Sequence, residues 1–233
     1  MEPMRIGPLR VRAVGGGDGP AILLCHGFGA PGDDLVSLAG AVDAGRGVRW
    51  FFPEAPIELD LGWGMSGRAW WKIEMARMAR LLAAGQGAQI LDETPEGLPD
   101  ARGRLEATIA ALEQDHGVRR DRLIIGGFSQ GAMLTTEVAL HAEVPFAGLA
   151  ILSGMLISSA RWIEAARARG SSIHAVQTHG QRDPVLPFAG AEALRAVLVQ
   201  SGATVDWVAH GGQHEIPAVA LERLGAFARS RFG

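Results

Sequence analysis

Three side chains in this sequence have the types and chain order suited to nucleophilic attack on an acyl carbonyl: Ser129, Asp183 and His214. A serine hydroxyl is a weak nucleophile near neutral pH and needs a base within hydrogen-bond reach. An imidazole can take that proton and later return it. A carboxylate behind the ring fixes its tautomer and steadies the imidazolium. Ser129 sits in Gly127-Phe-Ser-Gln-Gly131, the only Gly-x-Ser-x-Gly match in the chain. Glycine on both sides suits a sharp strand-to-helix turn, where the serine backbone is strained and strand and helix pass close together. The order Ser, Asp, His is the order expected of α/β-hydrolases.

Other residues compete for these roles. His26 directly follows an apolar strand and reads as shaping the loop after it, while His116 and His141 end helices, where the dipole suits them. His174 falls within a strand. His179 precedes the Asp183 turn and can touch the site. His210, four residues before His214 and followed by Glu215, invites a metal reading. Gly211-Gly212 opposes the helix that would put both rings on one face, so no metal is expected. Asp206 rivals Asp183 as the acid, but Asp183-Pro184 in Gly180–Pro187 suits a rigid turn. Cys25 lies in an apolar strand without an activating elbow. For the oxyanion, the expected donors are the backbone N–H groups of Gln130 and of Phe28 in His26-Gly-Phe-Gly29.

Gly27-Phe-Gly-Ala-Pro-Gly32 also satisfies the dinucleotide fingerprint G-x-G-x-x-G, and Glu54 falls near the distance of a ribose-binding acid. Asp33-Asp34 would repel a pyrophosphate at the start of the next helix, and Pro31 lacks an N–H for the cradle. No nucleotide cofactor is therefore expected.

Alternating strand and helix patterns must position these groups. Leu9–Val14, Ala21–Cys25, Val48–Phe52, Leu123–Gly126, Ala147–Leu152, Ile173–Thr178 and Ala203–Val208 read as strands, with Val48–Phe52 stopped by Pro53. Helices are expected from Asp33 or Asp34 to about Ala44, and over Trp70–Leu82, Pro99–Asp115, Gln130–His141, Ala160–Arg169, Gly190–Gln200 and Ala218–Arg229. Glu54–Ala69 reads as a long irregular segment and Ala84–Thr94 as a polar loop. The alternation predicts one α/β domain, residues 1–233, with a mostly parallel central sheet covered by helices on both faces. Residues 54–100 are the candidate lid or acyl-pocket insertion. Ligands in such sheets gather at the carboxyl ends of the strands, where Ser129, Asp183 and His214 all fall.

The composition narrows the classes further. With 48% hydrophobic and 20% charged residues and a net charge of −3, the chain has no electrostatic footprint for nucleic acid. Arg119, Arg120 and Arg122 are the one dense basic group and read as solvating a turn. A single cysteine excludes an intrachain disulfide, and no apolar stretch is long enough to cross a membrane. The expectation is a soluble, cytoplasmic protein. Tyrosine chemistry is excluded outright, since the chain has none.

With these pieces in place, the chain resembles the phospholipase/carboxylesterase family of α/β-hydrolases, which includes the acyl-protein thioesterases. The resemblance rests on His26-Gly-Phe-Gly29, Gly127-Phe-Ser-Gln-Gly-Ala132, Leu152-Ser-Gly-Met-Leu156, Gly180–Pro187 and His214-Glu-Ile216. It implies the α/β-hydrolase fold and a cofactor-free serine esterase or thioesterase acting through Ser129, Asp183 and His214. Small-molecule esters or thioesters would be the substrates. The chain departs from the family's habit at Ala30 and Gln181, where acidic residues are common, and in the run Trp70-Trp71-Lys72, where Trp-Phe-Asp is common. Trp63, Met65, Trp70, Trp71, Met155 and Leu186 are candidate acyl-pocket residues. Carboxylesterase, acyl-protein thioesterase and lysophospholipase activity stay open, as does a non-catalytic binding protein on the same scaffold, and the oligomeric state is not readable.

Overall fold

Ala21–Cys25, a run without a charged residue, is buried at all five positions in the middle of an eight-stranded sheet. The computed structural model describes residues 2–62 and 64–233, the side chains of Met75, Leu82 and Ala88 excepted. In chain order the strands are β1 (Met4–Ile6), β2 (Leu9–Val14), β3 (Ala21–Cys25), β4 (Arg49–Glu54), β5 (Ile57–Gly62), β6 (Met65–Ala69), β7 (Leu123–Phe128), β8 (Gly148–Leu152), β9 (His174–Gly180) and β10 (Thr204–His210). The helices are α1 (Leu38–Ala41), α2 (Met75–Ala83), α3 (Gly87–Asp92), α4 (Leu98–Asp115), α5 (Gln130–His141), α6 (Ser159–Arg169), α7 (Phe188–Gln200) and α8 (Ala218–Phe232).

The sheet order is β1-β2-β4-β3-β7-β8-β9-β10. From β4 to β10 the neighbours are parallel, while β2 is antiparallel to β4 and to β1. Alternate residues of β3 serve the two faces. Leu23 and Cys25 join a core with α4, α5, α6 and α7, and Ile22 and Leu24 join one with α1 and α8. This is the α/β-hydrolase architecture, with helices on both faces. At its centre the backbones are close, because Gly126 of β7 faces Ala150 of β8, where a Cβ would meet the Ala150 oxygen at 2.5 Å.

Five local expectations are corrected. The helix expected from Asp33 or Asp34 to about Ala44 is one turn, α1. The preceding turns are bonded three residues apart, as from Val36 N–H to Asp33 O, and Val42 is already extended. Glu54–Ala69 is largely an antiparallel ribbon of β5 and β6, to which the alternation Ile57-Glu-Leu-Asp-Leu61 pointed. Within Ala84–Thr94 lies α3, and the helix expected from Trp70 starts only at Met75. Strand β4 continues through Pro53, which lies beyond Phe51, the last residue paired with β3, so its missing N–H costs no ladder bond on that side.

Candidate active site

Ser129 is placed by β7 and the start of α5. Its backbone sits at φ 55° and ψ −118°, outside the regions an L-residue ordinarily occupies, at a cost of about 1–3 kcal/mol. The turn is held from both sides: Ser129 N–H donates to Leu152 O at 2.9 Å, and Met133 N–H donates to Ser129 O at 3.1 Å. The flanking glycines have a steric cause. A Cβ on Gly131 would lie 2.1 Å from the Cys25 oxygen, and one on Gly127 would lie 2.5 Å from that same oxygen. The end of β3 therefore runs against the elbow with no room for side chains.

The loop after β3 passes over Ser129, since a Cβ on Gly27 would stand 3.3 Å from the Ser129 Cβ. His26 anchors this loop. Ala55 N–H donates to its Nε2 at 3.0 Å, so Nδ1 carries the proton and donates to Gly27 O at 2.8 Å. Burial lowers the pKa of His26, which fits this neutral, doubly bonded ring. Among the described residues, neither the Phe28 N–H nor the Gln130 N–H donates to another part of the chain.

Asp183 follows β9 on a turn closed by its own side chain. Its Oδ1 accepts from Val185 N–H at 2.8 Å and Leu186 N–H at 2.9 Å, and its Oδ2 lies 2.6 Å from Nδ1 of His214. Burial, the largest single influence, raises the Asp183 pKa. The His214 hydrogen bond, the two N–H groups and the nearby imidazole together outweigh it and hold the carboxyl below its usual range. His214 follows β10 and packs its ring against Phe128, centroids 4.7 Å apart. His179 is fully buried, with Nε2 2.9 Å from Leu186 O and 3.3 Å from Asp183 Oδ2, and burial lowers its pKa.

The rivals are placed elsewhere. Asp206 pairs with Arg223 at 3.5 Å on the edge strand, and His210 is buried at the end of β10, its Nδ1 accepting from Gly212 N–H at 3.3 Å. Glu54, the candidate ribose acid, is buried beside Arg10, Arg12 and Arg68.

A cavity of about 630 Å³ opens beside Ser129 and His214. Phe28 and Gln130, the candidate oxyanion donors, line it together with Trp71, Met155 and Leu186 of the candidate acyl pocket. Met65 and Trp70 do not. Met65 is 59% exposed on the β5–β6 ribbon, and Trp70 is buried, its Nε1–H donating to His26 O at 2.9 Å. Trp63 lies outside the described residues. Lining residues not foreseen include Met133, Met78, Leu81, Ile90 and Ile157. Met133 was within reach of sequence reasoning, because it lies one helical turn beyond Ser129 on α5. The rim is charged, with Arg77 paired to Glu93 at 2.6 Å.

Residues 10–230 match the family described as Phospholipase/Carboxylesterase. Over 182 residues the chain is 28% identical to acyl-protein thioesterase 1 of Schizosaccharomyces pombe, covering 77% of this chain and 75% of that one. It is likewise 28% identical to acyl-protein thioesterase 1 of Neurospora crassa over 230 residues, covering 94% and 88%. The crystal structure of esterase PE8 superposes with a TM-score of 0.74 at 26% identity, covering 96% of this chain and 97% of that one.

Proposed function

The chain belongs to the phospholipase/carboxylesterase family and is a hydrolase, and from that premise we propose that it cleaves carboxylic esters with small to medium apolar acyl groups through an acyl-enzyme on Ser129. The observation that carries this reading is the cavity shared by Ser129, on its strained turn, and His214, whose Nδ1 is engaged by Asp183. With Nδ1–H donated to the carboxylate, Nε2 is the ring's free basic nitrogen.

His214 takes the Ser129 proton as Oγ forms a bond to the acyl carbon, and the carbonyl π electrons move onto oxygen. The N–H groups of Phe28 and Gln130 then stabilise that oxyanion, with the N-terminus of α5 adding its field. Collapse of the intermediate breaks the bond to the leaving oxygen, which takes the proton from His214. Water, deprotonated by the same imidazole, repeats the addition on the acyl-enzyme and frees the acid and Ser129. None of these steps calls for a cofactor. The apolar wall of Met133, Met155, Ile157 and Leu186 supports an apolar acyl group.

Thioesters fit the same chemistry, because only the leaving atom changes, and the names of the thioesterase relatives favour testing them. A panel of p-nitrophenyl esters, acyl-CoA thioesters and S-acylated peptides, compared by kcat/KM, ranks the substrates. Ser129→Ala should lose nearly all turnover and all covalent labelling by a fluorophosphonate. Labelling that persists in Ser129→Ala, or a wild-type protein that turns over no ester or thioester, would overturn the proposal in favour of another nucleophile or a binding role.

A further inference from the structure

The side chain of Gln130 is fully buried and bonds at both ends to one short segment. Its Oε1 accepts from Trp70 N–H at 2.9 Å, and its Nε2 donates to Trp71 O at 2.8 Å. That segment is also the outer support of the loop carrying Phe28. Trp70 Nε1–H donates to His26 O, while Gly29 N–H donates to Arg68 O at 2.8 Å and Arg68 N–H to Ala30 O at 2.9 Å. A Cβ on Gly67 would stand 2.3 Å from the Gly29 oxygen, so ribbon and loop lie backbone against backbone.

We propose that the Gln130 side chain and Arg68–Trp71 form a brace that sets the spacing between the two oxyanion donors. Each donor is tied to the same piece of chain, Gln130 through its amide and Phe28 through the carbonyls and N–H groups on either side of it. A hydrogen-bond donor stabilises the oxyanion only when aimed at where the charge develops, so a displacement of a few tenths of an ångström acts on the transition state more than on substrate binding. The side chain of Gln130 is thus a positioning group, distinct from its own backbone N–H. The inference rests on the proposed acyl transfer at Ser129.

The test uses Trp70→Phe, which keeps an aromatic ring but removes the donor to His26 O, and Gln130→Met, which keeps length but removes both amide bonds. Each is assayed on a matched ester and thionoester. A developing thiolate-like sulfur accepts hydrogen bonds poorly, so the thionoester depends less on the oxyanion donors. Both variants should lose about ten- to hundredfold in kcat on the ester, with KM within about threefold, and the ester-to-thionoester ratio should fall by a similar factor. Gln130→Met risks unfolding because Trp70 N–H and Trp71 O lose their partners, and Trp70→Phe then carries the test alone. An unchanged ester kcat, or an equal loss on both substrates, would overturn the brace. Failure of the underlying reading would show separately, as turnover retained by Ser129→Ala.

Discussion

Nε2 of His179 stands 3.3 Å from the Asp183 oxygen that Nδ1 of His214 meets at 2.6 Å. The same Nε2 lies 2.9 Å from Leu186 O, so its proton holds down the far side of the turn that carries Asp183. In the proposed mechanism His179 acts as a positioning residue for Asp183. His179→Phe keeps a ring near Phe188 but removes the donor and leaves a buried carbonyl unpaired. It should lower kcat about tenfold with KM nearly constant, and His179→Gln, which keeps an N–H, should recover part of the loss. Steady-state kinetics on one ester decides this. A change in KM alone would contradict it.

The elbow makes a sharp steric prediction. Gly131→Ala drives a Cβ into the Cys25 oxygen, an overlap of backbone that no rotamer relieves. It should destabilise the protein by about 3 kcal/mol or more in urea unfolding. Gly103→Ala is the opposite case, because the site is exposed in the middle of α4 and nothing lies within 4 Å. It should stabilise by about 0.5–1 kcal/mol.

Cavity shape should set acyl length. Ile157 is 4% exposed and lines the cavity. Ile157→Trp fills part of the 630 Å³ and should cut kcat/KM for the longest accepted acyl chain at least about tenfold relative to the shortest. Acyl-length profiles of the two proteins measure the shift, and parallel profiles would place the chain elsewhere.

Stability should have an acid limb and an alkaline one. Burial lowers the pKa of His26 and His179 in the folded state, so between those values and about 6.5 the unfolded chain binds more protons and stability falls as pH falls. Asp183, whose carboxyl is also held low, adds a second loss as pH drops below about 3.9. Cys25 is raised well above its ordinary value by burial, so above about pH 8.5 the unfolded thiol ionises first and stability falls as pH rises. Thermal midpoints should form a plateau between about pH 6.5 and 8.5. Cys25→Ala should flatten the alkaline limb while leaving the acid one in place.

The sequence alone determined those features whose causes are local. Gln130–His141 is a helix at the expected bounds because helical pattern and turn chemistry agree there, and Leu9–Val14 and Ala21–Cys25 are strands as read. The chain order of serine, acid and histidine was legible because each follows a strand, and the carboxyl ends of parallel strands meet at one edge. Only the tertiary structure decided what depends on contacts between segments distant in the chain. That His26 accepts at Nε2, and is therefore neutral, follows from Ala55, 29 residues away, and that Trp70 supports the loop instead of lining the cavity follows from its bond to His26 O. The pairing of Gln130 with Trp70 and Trp71 spans about 60 residues, and no periodicity or propensity encodes such a partner. Local pattern fixes where a strand ends and which residue stands there. The direction of a buried amide or ring is set by whichever distant backbone satisfies it, because an unpaired polar group in the core costs more than any local preference.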